Sequence, residues 1–219
     1  TSASTADTAI TIKGETSTTN SGQGTSWSGV LMSFNSSSAA SLIQTTAASG
    51  GGIEIAGFNA GGDKGLWLGN HDPASTMQIL SNAGDISLVT DSSIYMRNQD
   101  VYLGNRKNDT AVNGITPIPT ASTSNIVIRT DEVDEGTNDN FIISTAGHLT
   151  IEPYTGWTNT FMGGNFLDLT GSLTDDNFVG VTESRWLQVQ DVSGLTGLTF
   201  GKEGLTAGLV THTDWNVDG

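Results

Sequence analysis

The stretch "ISLVTDSSIYMRNQDVYLGN", residues 86–105, decides the fold. It contains three pairs of apolar residues whose members are separated by one residue: Ile86 and Leu88, Ile94 and Met96, Val101 and Leu103. Alternate side chains of a strand point to the same face, so each pair predicts a short strand with one apolar face. The pairs begin eight and then seven residues apart, which is too short for ordinary hairpins.

The same pattern precedes this stretch. Three further pairs occur upstream: Ile53 and Ile55, Leu66 and Leu68, Met77 and Ile79. Turn-forming segments such as "NAGGDKG", "NHDP" and "SNAGD" separate them, and no helical pattern intervenes. The sequence therefore predicts an all-β protein built from many short strands.

Two copies of a ten-residue phrase indicate an internal repeat. Residues 79–88, "ILSNAGDISL", align with residues 142–151, "IISTAGHLTI", and the tripeptide "LGN" occurs at residues 68–70 and 103–105. The alignment predicts two strands joined by an Ala-Gly turn. It also places His148 opposite Asp85, which favours an exposed and replaceable turn residue over a catalytic histidine.

The chain divides into three predicted regions: an N-terminal connector with a first β segment (1–50), a repetitive β shaft (51–153) and a C-terminal β-rich module (154–219). In the first region "AITIKG" and "GVLMSF" are typical of strands, whereas a short helix competes within "SSSAASLIQTTAAS". The region after the shaft includes the alternating segment "RWLQVQ".

One-sided strands need a cover, because an isolated ribbon is marginal in water. A single-chain solenoid is one solution, since the 24 residues from Met77 to Val101 would make one three-sided turn. Three intertwined chains forming a triangular prism are the other. The spacing of the pairs drifts from thirteen to seven residues and the repeat has only two copies, which favours the trimer. The residues of the three pairs in 86–105 are then expected to be buried between chains.

The composition narrows the possible partners. The chain has 23 acidic and 8 basic residues, a formal net charge of −15, and lacks the basic patches that nucleic acid requires. Anionic membrane surfaces are disfavoured for the same reason, and no apolar run reaches the roughly 18 residues of a membrane helix. Cysteine is absent. The start "TSASTADTAI" is interpreted as that of a processed or partial chain.

The phrases "ILSNAGDISLVTDSSIYM", "GLWLGN" and "FIISTAGHLTIEP" resemble the shafts of bacteriophage tail fibres and tail spikes, over roughly residues 51–153. The resemblance implies an elongated, homotrimeric, intertwined β-prism or β-helix-like shaft in the virion tail, outside the cell. It implies contacts with other tail proteins and with a host surface glycan, and a role in spacing or presenting a receptor-binding end. The alternatives are a polysaccharide-degrading tail spike and a bacterial surface adhesin or single-chain solenoid.

Residues with possible binding chemistry occur in two loops. The acidic loop 130–140 carries Asp131, Asp134 and Asp139, a possible calcium set, although a solvated loop is the simpler interpretation. In "EPYTGWTNTF" the rings of Tyr154, Trp157 and Phe161 suit either sugar stacking or the junction with the C-terminal module. No catalytic motif is present, so we expect no enzymatic activity and no cofactor other than possible calcium.

Overall fold

The fold was analysed in a computed structural model. It describes residues 1–16, 28–32, 40–60, 64–69, 75–97, 99–105, 117, 122–130, 132–135, 141–154, 167–168, 187–189 and 195–201. These residues form strands and connecting segments and contain no helix, so the prediction of an all-β chain is confirmed.

The strands are short, and their bounds are as follows. The first nine are β1 (Thr8–Thr16), β2 (Val30–Met32), β3 (Ala40–Thr45), β4 (Gly52–Asn59), β5 (Lys64–Gly69), β6 (Ser75–Ser81), β7 (Ile86–Thr90), β8 (Ser93–Arg97) and β9 (Gln99–Gly104). The others are β10 (Ile126–Arg129), β11 (Glu132–Glu135), β12 (Phe141–Ser144), β13 (His148–Glu152), β14 (Leu167–Asp168), β15 (Leu187–Val189) and β16 (Gly197–Phe200).

The strands form three parallel sheets, and most strands pair with the strand three positions later in the chain. Sheet I has the order β1-β4-β7-β10-β13-β16, and sheet II has the order β11-β8-β5-β2. Sheet III has the order β14-β15-β12-β9-β6-β3. Three consecutive strands, one for each sheet, are called a turn here. The first turn is β1 to β3, and the fourth is β10 to β12.

The inward side chains of the three sheets form one apolar core. In sheet I the register aligns Ile10, Ile53, Ile86, Ile126, Leu149 and Leu198 along one row. All six apolar pairs predicted from the sequence lie in β4 to β9, and their side chains are at most 1% exposed. The predicted strands and their inward faces in this part of the chain are therefore confirmed.

The cover of these faces differs from the expectation. Ile86, Leu88, Ile94, Met96, Val101 and Leu103 are 0% exposed within a single chain. Strands of the same chain surround them, which corrects the expectation that they are buried between chains. Met77 pairs with Val101, 24 residues later, as the single-chain alternative required. The partners Leu66 and Ile94 are 28 residues apart, and Ile53 and Ile86 are 33 apart, because the connections between strands differ in length.

A stack of buried hydroxyl groups lies at the corner between sheets III and I. The hydroxyl stack comprises Thr45, Ser81, Ser122, Ser124 and Thr145, each at most 2% exposed. The Thr45 hydroxyl donates to Ser81 Oγ at 3.0 Å, and Ser122 and Ser124 donate to the Ser81 carbonyl at 2.7 and 2.9 Å. These bonds satisfy buried polar groups and join successive turns.

The internal repeat is structural only in part. Ile86 and Leu149 occupy the same row of sheet I, as the alignment predicted. In sheet III, however, Ile79 pairs with Leu103, and Leu103 pairs with Ile143, whereas the alignment had matched Ile79 with Ile142. The later corner is thus one residue shorter. The two "LGN" tripeptides are not equivalent either, since Leu68 ends a strand of sheet II and Leu103 a strand of sheet III.

Two local expectations are corrected. The segment in which a short helix competed contains strand β3, whose edge pairs in register with β6 over six residues. The acidic segment after β10 is a strand at residues 132–135, which pairs with β8 because Val133 continues the inward row of Ile94. The boundaries at residues 50 and 153 stay predictions, although β1, β2 and β3 pair directly with β4, β5 and β6.

Candidate functional site

An aromatic row lies on the outer face of sheet II. Leu31, Trp67 and Tyr95 occupy one register position on β2, β5 and β8. Their neighbours Val30, Leu66 and Ile94 are buried, so alternation turns the row away from the core. Leu31 is 57% exposed and is the one large hydrophobic side chain among the described residues that is classed as exposed.

The rings of the aromatic row are arranged around a cation. Trp67 and Tyr95 meet edge to face, with ring centroids 4.9 Å apart and an interplanar angle of 90°. Lys64 Nζ lies 4.9 Å from the Trp67 centroid and 4.0 Å from the Tyr95 centroid. The negative face of an aromatic ring attracts such an ammonium group. The row therefore combines an exposed apolar residue, two half-buried rings and a fixed positive charge.

The indole nitrogen of Trp67 adds a hydrogen-bond donor to this surface. In the described part of the molecule, Trp67 Nε1 is buried and has no hydrogen-bond partner. A buried donor without an acceptor costs free energy, about 1–3 kcal/mol in mutational series. Contact with another molecule that brings an acceptor to this nitrogen would remove that cost. The arrangement suits a partner that offers apolar groups together with hydrogen-bond acceptors.

The predicted calcium set is divided by the structure. Asp134 lies in β11 at the register position of Tyr95, next along sheet II from the aromatic row. Asp131 and Asp139 lie outside the described residues. Within the described ranges, no group of three or more His, Asp or Glu residues is placed so as to hold a metal ion. The calcium interpretation stays a prediction, and the structure adds that Asp134 belongs to a strand.

The predicted aromatic set is also placed in part. Tyr154, which follows β13, is half-buried, and its ring centroid lies 6.0 Å from that of Phe58 at an interplanar angle of 57°. Phe58 belongs to β4, and β7 and β10 lie between β4 and β13 in sheet I. Trp157 and Phe161 lie outside the described residues. The contact of Tyr154 with Phe58 is what a packing role for this ring requires.

The outer face of sheet I is polar. Lys13 and Glu54 form an ion pair at 2.9 Å between β1 and β4, and Arg129 pairs with Glu152 between β10 and β13. Both pairs join neighbouring strands, although exposed ion pairs contribute little, about 0–1 kcal/mol. This face has the chemistry of a solvated surface.

A polar row at the corner before sheet I contains His148. Asn125 donates its amide to Asp85 Oδ1 at 3.0 Å and accepts the His148 backbone N–H on Oδ1 at 3.0 Å. His148 Nε2 lies 2.8 Å from Thr199 Oγ1. Asp85 and His148 thus occupy equivalent corner positions, as the repeat predicted. The histidine links successive turns through these contacts.

Sheet III carries a perturbed tyrosine. Burial raises the pKa of Tyr102, and the neighbouring Asp100 raises it further by its charge and by a hydrogen bond to the hydroxyl. On the same outer face, Gln78, Leu80 and Ile142 are at most 5% exposed. The outer face of sheet III is therefore covered, in contrast to the face that carries Leu31.

Sequence reasoning missed the aromatic row, although the signal was present. In "GLWLGN" and "SSIYMR" an aromatic residue stands between two inward apolar residues. Alternation then places both rings outside the core, and the register of β5 and β8 places them side by side. Noting which residue stands between the members of each pair would have found Trp67 and Tyr95.

No protein-family model, no curated protein and no solved structure matches the chain. In the described ranges, no helix has the length and apolar character needed to cross a membrane.

Proposed function

We propose that this chain is a structural part of a bacteriophage tail fibre, which spaces or presents a receptor-binding end of the virion. The observation that carries the proposal is the pairing of each strand with the strand three positions later in three parallel sheets. Turns added in this way lengthen a coil along one axis, which is the geometry of a spacer. The texture shared with tail-fibre shafts adds the virion context.

The proposed architecture is a three-sided β-solenoid within one chain. Strands in a sheet are about 4.8 Å apart, so the five intervals of sheet I extend about 24 Å along the coil axis. The apolar rows run through successive turns, and the hydroxyl stack ties the same corner together. A rod of this kind is stiff because each turn is bonded to the turns on either side.

A homotrimer belongs to the proposal in a different form from an intertwined prism. Each chain already covers its own core, so three coils would stand side by side and contact one another through their outer faces. The aromatic row is the described surface best suited to such a contact, because Leu31 is 57% exposed beside two half-buried rings. Other tail proteins and a host glycan complete the set of proposed partners.

Immunoelectron microscopy tests the virion role. Antibodies raised against the chain should label the tails of phage particles from cultures of the source strain, and pre-incubation with the chain should abolish the labelling. Label confined to the bacterial cell surface would contradict the proposal. A matched incubation with host polysaccharides should release no oligosaccharides; release that disappears in Asp175→Asn or Asp176→Asn would identify a degrading tail spike.

A bacterial surface adhesin is the second candidate, and the closed single-chain core favours it over an intertwined trimer. Both candidates need a rod, so the labelling experiment separates them by location. Sedimentation equilibrium separates the assembly states: the side-by-side trimer predicts three times the chain mass of 22.8 kDa, and Leu31→Glu should dissociate it. Thr150→Glu, on the outer face of β13, is the control that should leave the trimer intact.

A further inference from the structure

The first turn ends in open sheet edges. No described strand pairs with the outer edge of β1, which spans nine residues. At sheet III, Ser2 already adds a parallel bridge to Thr45, with Ser2 N–H donating to Gln44 O and Thr46 N–H to Ser2 O, both at 2.8 Å. This end of the coil thus accepts further parallel pairing, because a free strand edge is a template for another strand.

The backbone groups of β1 identify which residues face the open edge. Ile53 N–H donates to Asp85 O, so Ile53 faces β7 and its neighbour Glu54 faces β1. In a parallel pair the facing residue bonds to the residues on either side of its register partner, which for Glu54 is Thr11. The N–H and C=O groups of Thr11 therefore point away from β4, toward the open edge.

The opposite end of sheet I offers the matching edge. Gly201 N–H donates to Ile151 O, so Gly201 faces β13, and Phe200, one residue earlier, faces away from it. β16 is the outermost described strand of sheet I at this end. Since all pairs in sheet I are parallel, the edge of β16 stands to the edge of β1 as β4 stands to β7.

Both ends of the apolar core are incompletely covered. The apolar side chains that pack against the core while remaining partly exposed lie in the end turns: Ile10, Ile12, Met32 and Ile43 in the first, and Leu195 and Leu198 in the last. The corresponding residues of the third turn are 0% exposed. All three sheets contribute to the uncovered first-turn end, so it has the cross-section of the core.

From these edges we infer that copies of this chain stack end to end, with β16 of one copy pairing in parallel with β1 of the next. The inward row would then continue without a break, since Leu198 of one copy would lie beside Ile10 of the next, as Ile53 lies beside Ile86 within the chain. Such a contact joins two different surfaces and does not close on itself, so repetition extends the coil. The inference goes beyond the proposed function and does not depend on it.

Sedimentation velocity of the full chain between about 1 and 100 µM tests the stacking. The wild-type protein should show species at multiples of its smallest unit, and their share should rise with concentration. Thr11→Pro removes the N–H at the open edge without removing a bond to β4, because an edge position tolerates proline. We expect it to weaken association by about tenfold or more. Thr11→Val, which retains the N–H, should associate like the wild type.

Ile10→Lys tests the same contact through the apolar end, and circular dichroism of each variant establishes that the strands are formed. If Thr11→Pro does not fold, the Ile10→Lys result decides. A wild-type chain that shows no concentration-dependent species would overturn the inference, as would association that both variants leave unchanged. A closed trimer that neither variant disturbs would overturn the stacking and leave the side-by-side assembly of the proposed function standing.

Discussion

The hydroxyl stack leads to a sharp prediction at Thr145. Its side chain is 2% exposed, its Oγ1 lies 2.6 Å from Ser124 O and 3.2 Å from Ser122 O, and it accepts the Gly147 backbone N–H at 3.0 Å. Thr145→Val keeps the shape of the side chain and removes the hydroxyl. The Gly147 N–H then loses its acceptor, and the Ser122 and Ser124 carbonyls lose a donor.

The expected loss follows from these contacts. A buried polar group left without a partner costs about 1–3 kcal/mol, so we expect Thr145→Val to lower the free energy of unfolding by about 2 kcal/mol. For a chain of 219 residues this corresponds to a decrease in Tm of about 4–8 °C. Urea and thermal unfolding, followed by circular dichroism, measure both quantities.

Thr150→Val on the outer face of β13 is the matched control. Thr150 follows Leu149 in the strand and is half-buried, and valine is favoured in strands. We expect its unfolding free energy to stay within about 0.5 kcal/mol of the wild type. If Thr145→Val is as stable as this control, the hydroxyl stack does not stabilise the corner and the reasoning fails.

Three further changes test other parts of the structure. The raised pKa of Tyr102 gives stability that is present below the unfolded value of about 10 and lost as pH rises above it, so Tyr102→Phe should lose stability less steeply in alkaline urea titrations than Tyr154→Phe. Gly104 has φ of 88°, and a Cβ there would lie 2.1 Å from Ser144 O; Gly104→Ala should therefore lower the unfolding free energy by more than about 1 kcal/mol, and an unchanged Tm would refute the close approach. Tyr154→Ala should lower it by about 1–2 kcal/mol through loss of the Phe58 contact, whereas unchanged Tm with lost binding to host cells would favour the sugar-stacking role.

The strands were predictable because alternation is a local signal. In Ile86 to Leu88 or Ile94 to Met96 two apolar residues with one residue between them identify both the strand and its inward face. The pairing of strands is not local, since Ile86 bonds across 40 residues to Ile126 and Ile126 across 23 to Leu149. No fixed period exists in the sequence from which these partners could be read.

The drift in spacing was interpreted as evidence against a single-chain coil, and the structure shows why that inference failed. The register within each sheet is maintained while the corners absorb the differences in length. The repeat illustrates this at one corner: Ile79 and Ile143 are equivalent, but seven residues separate Ile79 from Ile86 and six separate Ile143 from Leu149. An alignment without gaps therefore matched sheet I correctly and misplaced sheet III by one residue.

The candidate site was less predictable than the fold. Ring pairs such as Trp67 with Tyr95 or Phe58 with Tyr154 join residues 28 and 96 positions apart, and their proximity depends on register and on the path after β13. Sequence reasoning selected exposed-looking aromatics in a Gly-rich loop because composition marks loops. It assigned no role to Trp67, because an aromatic residue inside an apolar triplet has the composition of a core residue.

The contrast between register and corner length also indicates where binding properties can vary. A slip of one residue in sheet I would turn Glu54 and Ser87 into the core in place of Ile53 and Ile86, which costs both apolar burial and the desolvation of a carboxylate. A residue added or removed at a corner leaves the inward rows in place. Changes at the corners and on the outer faces therefore act on recognition with little effect on the core, whereas changes in the inward rows act on folding. On this argument the aromatic row and the corner beside Tyr154 are where host or partner specificity should be sought, and the inward isoleucines should tolerate only volume-conserving apolar exchange.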